Sequence, residues 1–305
     1  MTNRFMVTGG EGFIGRNLVS LLREEGNEVY TLDITGKPNY KFSITDRNKL
    51  FTSVKEKFDG IFHLAATTSP LQFESGPFDG FEVNATGTLH ILEFAKMRNI
   101  PRVVLASSSA TYGDLKEISI ESRIPDRYSN LYPITKIVDE YLARYYSIRN
   151  EMECISLRYF NTYGPHENTK GIYSSQVSKF LNYAIRGEPI VVYGDGTQRR
   201  DFIYVKDNVR ATKLAFDKGK AGESYNIGTG ISVDFNSIAN LVKEITGSDS
   251  PVEHISNPLK SYQTFTQANL TKTCKELGFS PKYDLRTAIK EILEAERGNL
   301  ENSVQ

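Results

Sequence analysis

The sequence has no tryptophan and only two cysteines, Cys154 and Cys274. Two thiols cannot build a disulfide framework or a thiolate zinc cluster, so a reducing, cytoplasmic setting is expected. The four histidines, His63, His90, His166 and His254, are scattered without metal-ligand spacing, and no metal is expected. An excess of charge of one sign is also missing. Lys+Arg and Asp+Glu both number 37, so no overall basic field draws in nucleic acid or an anionic membrane. A local basic pocket for a small phosphate stays open. No apolar run approaches the ~20 residues that span a bilayer. The start, Met1-Thr2-Asn3-Arg4, runs straight into a strand-like segment and lacks the apolar stretch of a signal peptide. Repeats, low-complexity segments and linkers are absent as well.

What is present is a chain of 305 residues, 39% hydrophobic and 24% charged. That suffices for one large domain, or for a core domain plus a smaller one. Arg4 to Thr8, Glu28 to Asp33, Gly60 to Ala65, Arg102 to Ser107 and Cys154 to Phe160 are short, apolar and rich in β-branched or aromatic residues. Between them lie segments with helical spacing, such as Phe13, Ile14, Leu18, Leu21 and Leu22. Apolar strands alternating with helices predict a doubly wound parallel sheet covered on both faces, an α/β fold. After about residue 160 the alternation loosens. Helices are predicted over 174–187, 206–218, 236–247 and 285–297, with a strand at Pro189 to Tyr193 and a turn at Gly194-Asp195-Gly196. The later part therefore reads as a small domain packed on the first, with a cleft between them.

Val7-Thr8-Gly9-Gly10-Glu11-Gly12-Phe13-Ile14-Gly15 follows the first strand and opens the first helix. Gly9, Gly12 and Gly15 permit a tight turn, close approach of a pyrophosphate and close helix packing, while the helix N-terminus supplies N–H donors. Glycines alone make only a Gly-rich turn; their placement between strand and helix makes a dinucleotide site. Asp33 ends the second strand, where an acid accepts hydrogen bonds from ribose hydroxyls. It would repel a ribose 2′-phosphate, so NAD is expected over NADP, with Lys37 near enough to soften the preference.

Tyr132 and Lys136 form a Tyr-x-x-x-Lys pair. The spacing alone is weak, since Tyr112 and Lys116 repeat it across Gly113-Asp114, where no helix is expected. Tyr132 instead begins a helix-like stretch reaching Arg149, and residues four apart share a helix face. A nearby cation lowers a tyrosine pKa from its reference of about 10, which makes an acid/base able to take a proton from a hydroxyl near neutral pH. Ile134, Ile137, Val138, Tyr141, Leu142, Tyr145 and Ile148 form an apolar arc on the same helix, and Tyr132 and Lys136 project outside it. Ser107-Ser108-Ser109 follows the strand from Arg102, at the end of a parallel strand where ligands bind in such folds.

Taken together, these features resemble the extended short-chain dehydrogenase/reductase family, the NAD-dependent epimerases and dehydratases of nucleotide sugars. The resemblance spans nearly the whole chain. It is carried by the glycine segment, His63-Leu64-Ala65-Ala66, Val83-Asn84-Ala85-Thr86-Gly87-Thr88, Ser107 through Gly113 and Tyr132 with Lys136. Further along it is carried by Arg158-Tyr159-Phe160-Asn161-Thr162-Tyr163-Gly164-Pro165 and by Gly194 through Phe202. It implies a Rossmann-type domain over 1–160 with a returning segment near 202–228, and a smaller nucleotide-sugar-binding domain over 161–305 interleaved with it. It implies catalysis by Ser108, Tyr132 and Lys136, with Lys136 also on the nicotinamide ribose. Gly9, Gly12, Phe13, Ile14, Gly15, Asp33, Ser43, Ile44, Leu64, Ala65, Ala66, Asn84, Ser107 and Tyr159 would stand around the cofactor. Ser109, the alternative to Ser108, would meet the substrate with Asn161, Lys170 and Arg200; a guanidinium suits the diphosphate. The family commonly dimerises through the Tyr-x-x-x-Lys helix and the helix before it, here about 80–98, so a homodimer is expected.

Two departures from the family pattern matter. Ser43-Ile44 replaces the Asp-Ile whose Asp meets the adenine amino group, so that contact is weakened or lost. Ala110 stands where the family's dehydratases and decarboxylases carry a Glu, so elimination lacks its usual acid/base. The general pattern looks like UDP-glucose 4-epimerase and other UDP-hexose 4-epimerases. Gly164-Pro165 through Lys170-Gly171, and Tyr262 through Asn269, look instead like ADP-glycero-manno-heptose 6-epimerase, in which a lysine at the place of Lys170 is a second base. The other readings are a solvated loop or phosphate-binding role for Lys170, a nucleotide-sugar reductase or dehydratase that turns over NAD(P), and a non-catalytic NAD-binding sensor.

Overall fold

The computed structural model describes residues 2–68, 70–165, 167, 171, 173–257 and 263–303. Its strands are β1 (Arg4–Thr8), β2 (Glu28–Asp33), β3 (Tyr40–Lys41), β4 (Gly60–His63), β5 (Arg102–Ser108), β6 (Glu153–Tyr159), β7 (Asn161–Tyr163), β8 (Ile190–Tyr193), β9 (Arg199–Tyr204), β10 (Ser224–Ile227), β11 (Ser232–Asp234) and β12 (Val252–Ile255). The helices are α1 (Phe13–Glu24), α2 (Arg47–Ser53), α3 (Pro70–Ser75), α4 (Pro77–Phe81), α5 (Gly87–Met97), α6 (Leu131–Asn150), α7 (Gln176–Arg186), α8 (Val205–Lys218), α9 (Phe235–Thr246), α10 (Thr271–Leu277) and α11 (Leu285–Ser303). Among the described residues, no helix is long and apolar enough to cross a membrane.

A seven-stranded sheet, parallel throughout, runs in the order β3-β2-β1-β4-β5-β6-β10. Its central strands are buried on both faces because side chains alternate across a strand. Phe5, Val7, Phe62 and Val104 join one apolar cluster with Leu18 and Leu22 of α1 and Ala211 and Ala215 of α8. Met6, Ile61, Val103 and Leu105 join the other, with Leu50 of α2, Ile91 and Leu92 of α5 and Ala143 of α6. Burying each such aliphatic side chain is worth about 1.5–3 kcal/mol before the cost of ordering the chain. After β9 the chain returns to this sheet, with α8 packed on α1 and β10 paired to β6. The order reverses between β1 and β4, and such a reversal opens a crevice at the carboxyl ends of the strands.

Helix α6 buries its polar side. Tyr132, Pro133, Thr135, Lys136, Asp139, Ala143 and Tyr146 face inward, whereas Tyr141, Tyr145 and Ile148 of the apolar arc are 62%, 56% and 74% exposed. A side chain that serves a cleft must be polar even though it is buried, so hydropathy and burial part company on this helix. The helix expected over about 80–98 is broken. A π-helical turn, Glu82–Thr86, separates α4 from α5. Single π turns interrupt helices frequently at functional sites.

Candidate active site

The crevice is a cleft of about 820 Å³, within the usual 300–1,000 Å³ range of small-molecule sites. Its first wall is the glycine turn. Gly9 has φ of 68°, and a Cβ there would come within 2.8 Å of the Ala65 backbone. At Gly15 a Cβ would lie 2.0 Å from the Gly9 carbonyl oxygen, so helix and turn can touch only without a side chain. Gly12, which precedes the first turn of α1, is different. A Cβ there would meet only the Gly9 oxygen, at 3.2 Å. The protein's own packing barely needs that glycine, and the space over it opens on the cleft beside a helix N-terminus, the setting a pyrophosphate requires. These residues fit a dinucleotide.

Asp33 closes the far end of this wall. Its carboxylate accepts from the Glu11 N–H at 3.0 Å and from the Thr35 N–H and hydroxyl at 3.0 and 3.1 Å, which fixes its orientation. Phe13, Ile14, Ser43, Ile44, Leu64, Ala65 and Ala66 line the same part of the cleft. With Asp33 in this place the protein is expected to bind NAD more tightly than NADP, and Asp33→Ala to erode the difference. Titration of both cofactors into stripped protein checks this, and tighter NADP binding by the unmodified chain would remove the role given to Asp33.

The opposite wall carries Tyr132, Lys136 and the serines. Asn130 caps α6 by accepting from the Tyr132 N–H at 3.1 Å. Tyr132 therefore sits in the first turn, where the helix dipole favours negative charge. Its ring packs against Phe73, centroids 5.9 Å apart. Lys136 is buried one turn on, its ammonium donating to the Ala106 carbonyl at 3.0 Å and to Asp139 at 3.1 Å. The Ser108 Oγ accepts from the Ala110 N–H at 3.1 Å. A hydroxyl used only as acceptor keeps its proton for a ligand. Ser107 lines the cleft, but its hydroxyl is turned to Glu140 at 2.5 Å, part of the buried Arg158–Glu140 ion pair. Ser109 also lines the cleft, and Tyr159 does so with its hydroxyl bonded to Thr212 at 2.8 Å.

Asn84 stands behind the wall. It lies in the π-helical turn, accepts from the Thr67 N–H at 2.8 Å and donates to the Thr67 carbonyl and the Thr135 hydroxyl. It thereby holds Thr67, which does line the cleft. At the substrate end Asn161 and Arg200 line the cleft. The Asn161 amide donates to the Asp201 carbonyl at 3.0 Å and to Thr266 at 3.2 Å, and Arg200 lies over the ring of Phe235 and donates to the Gln263 carbonyl. Lys170 lies outside the described residues.

Lys179 and Glu167 are cleft residues that the sequence did not reveal. Glu167 is buried and accepts from the Ser175 N–H and hydroxyl, both at 2.8 Å. Burial lowers the Lys179 ammonium below its ordinary range, against the attraction of Glu167. A helix N-cap serine and a mid-helix lysine carry no signal until the cleft is assembled around them. Tyr112, the first residue of the other Tyr-x-x-x-Lys, is buried in a 3-10 turn and bonds Asn226 at 2.6 Å, outside the reacting wall.

A sequence profile described as the NAD dependent epimerase/dehydratase family matches residues 5–228. The chain is 32% identical over 277 residues to a UDP-N-acetyl-alpha-D-glucosaminuronate decarboxylase of Bacillus cytotoxicus, covering 84% of each protein. It superposes with a TM-score of 0.91 and 31% identity on the UDP-glucose 4-epimerase of Thermotoga maritima, solved with UDP-glucose, over 97% of this chain and 99% of that one. It superposes with a TM-score of 0.87 and 28% identity on the ADP-L-glycero-D-manno-heptose-6-epimerase of Helicobacter pylori, over 97% and 96%. The chain belongs to the NAD-dependent epimerase/dehydratase family and is an NAD-dependent enzyme acting on nucleotide sugars.

Proposed function

We propose that the protein is a UDP-hexose 4-epimerase, with UDP-glucose as a substrate, working by transient oxidation of the sugar. The observation that carries this reading is the pairing of Tyr132 and Lys136 on a cleft wall where Ala110 brings a methyl group to the place of the acid/base used for elimination. NAD, when bound, supplies the hydride acceptor and donor. Gly9, Gly12 and Gly15 would hold its pyrophosphate, Asp33 its adenosine ribose and Lys136 its nicotinamide ribose. Tyr132 takes the proton of the sugar hydroxyl, and Ser108 donates a hydrogen bond to the same oxygen. The resulting ketone turns in the cleft so that its other face would meet the nicotinamide, and Tyr132 returns the proton to the ketone oxygen. Asn161, Lys179 and Arg200 anchor the diphosphate, so the sugar turns while the nucleotide stays fixed. Net redox change is zero.

Supporting the 4-epimerase over the heptose 6-epimerase is chemical economy, since a ketone that turns over can take hydride on its other face while the same Tyr132 serves its oxygen, and no second base is needed. Incubation with a panel of UDP-, ADP-, GDP- and dTDP-sugars, resolved by NMR, tests the assignment. UDP-glucose is expected to give UDP-galactose with no external NADH consumed. Turnover confined to ADP-heptose, or stoichiometric release of NAD(P), would contradict it.

The reading includes a homodimer. Tyr141, Tyr145 and Ile148 of α6 and Leu89 and Met97 of α5 are exposed apolar side chains on neighbouring helices. A symmetric pair of such faces makes a self-complementary interface. Sedimentation is expected to show a dimer at micromolar concentration, and a monomer there would count against it.

A further inference from the structure

Beneath Lys136 lies a buried polar chain that the proposed reaction does not use. The Ala65 N–H, on the cofactor wall, donates to the Thr8 hydroxyl at 3.2 Å. Thr8 Oγ1 is 2.7 Å from His63 Nδ1, and His63 Nε2 is 3.0 Å from Thr88 Oγ1. Thr88 also favours the charged form of the nearby Asp139 carboxyl, whose Oδ2 accepts from Lys136 and whose Oδ1 is buried without a hydrogen-bond partner. Asp139 is 2% exposed and Lys136 4% exposed, and the two form an ion pair at 3.1 Å.

The chain has a direction. Burial, reinforced by the positive charge of Lys136, holds the His63 pKa down to about 3, so its ring is neutral and carries one N–H. With that proton on Nε2, the Thr8 hydroxyl donates to Nδ1 and His63 donates to Thr88. An ammonium has three donors. Lys136 commits one to Ala106 and one to Asp139, which leaves one for the cleft.

We propose that Asp139 is a positioning residue for Lys136, its buried ion pair holding the ammonium at the cleft. The inference rests on the reading above, in which Lys136 meets the nicotinamide ribose. Were the carboxylate lost, Lys136 would keep a charge with no anionic partner in a buried site, and its aim would no longer be fixed.

Among the described residues, the groups that act on the Asp139 carboxyl include Lys136 and Glu140 of its own helix, the latter paired with Arg158 of β6, and Thr88 of α5. His63 of β4, hydrogen-bonded to Thr88, stays neutral. Burial raises the Asp139 pKa to about 6, opposed by Lys136 and Thr88. The carboxylate is therefore charged above that pH and is neutralised as pH falls through it, so the anchor of Lys136 is complete near neutrality and lost in mild acid.

The test measures NADH binding to stripped full-length protein between about pH 7 and pH 5, with ADP, which lacks the nicotinamide ribose, as the control. NADH fluorescence can be read directly because the chain has no tryptophan. For the unmodified protein NADH affinity is expected to weaken roughly tenfold or more toward low pH, about what one charge-assisted hydrogen bond contributes, while ADP affinity does not. In Asp139→Asn the amide oxygen still accepts from Lys136 but does not titrate, so the NADH step is expected to vanish. In Thr88→Val the carboxylate loses a hydroxyl that favours its charged form, so the step is expected to move to higher pH. An NADH step unchanged in Asp139→Asn overturns the proposal. If that variant does not fold, an unmoved step in Thr88→Val overturns it instead. Lys136→Ala separates the two levels: unchanged NADH affinity there would remove Lys136 from the ribose and sink the underlying reading, whereas weakened affinity with the Asp139→Asn step intact sinks this inference alone.

Discussion

Tyr132→Phe is expected to lower kcat by about 10²–10⁴, the range for removal of a general acid–base group, while NAD stays bound. The substitution deletes one oxygen and keeps the ring against Phe73, so the capped first turn of α6 has no reason to move. The proposed diphosphate anchors, Asn161, Lys179 and Arg200, do not involve Tyr132, so KM is expected to change little and the loss to fall on kcat, the pattern of an interaction made in the transition state. Epimerisation followed by NMR, with cofactor content measured on the same sample, checks both parts. Turnover close to that of the unmodified enzyme would mean that another residue moves the proton.

Gly15→Ala is expected to cost cofactor binding. A Cβ at this position would stand 2.0 Å from the Gly9 oxygen and 2.9 Å from the Gly10 Cα. Both neighbours are backbone, so the turn itself has to shift, and with it the N–H groups aimed at the pyrophosphate. Losing one or two charge-assisted hydrogen bonds corresponds to about 10²-fold in NAD affinity. Overpacking adds about 1–3 kcal/mol of lost stability. Gly26→Ala is the control. Gly26 has φ of 82° with nothing within 4 Å of its would-be Cβ, so alanine there is strained by about 1–2 kcal/mol and leaves NAD affinity alone. Titration of stripped protein together with thermal unfolding distinguishes the two, and equal NAD affinity in both variants would contradict the tight-turn account.

The parts of this molecule that were legible in the sequence are those whose cause is local. Arg4–Thr8 matches its strand-like run because a parallel strand buried on both faces needs consecutive apolar residues, and Glu28–Asp33 matches its run of β-branched and aromatic residues with partial burial. The glycine turn is local in part, since steric exclusion at Gly15 comes from Gly9 and Gly10, whereas Gly9 is held free of a side chain by the distant Leu64 and Ala65 backbone. Tyr132 and Lys136 were recognisable because four residues of helix bring them together without help from the fold. Asn84 is a different case: its partners Thr67 and Thr135 are distant in sequence, and only the π-helical turn aims it at them. Asp139 would be read as a solvated acid on a helix. Its burial, 2% exposed, comes from the packing of α6 on β5 and α5, which its own sequence does not show. The apolar arc of α6 was visible, but which face turns inward depends on the cleft, and the polar face won.

Hydride return within a single active site is the central claim, and isotope tracing tests it most directly. UDP-glucose carrying deuterium at C4 would be converted by the enzyme and its tightly bound cofactor in ordinary water, and the product examined by NMR and mass spectrometry. The account predicts UDP-galactose with the deuterium still on C4, because the atom removed from one face is returned to the other without meeting solvent. Loss of the label to water, or product that forms only with added NADH and carries its hydrogen, would contradict it.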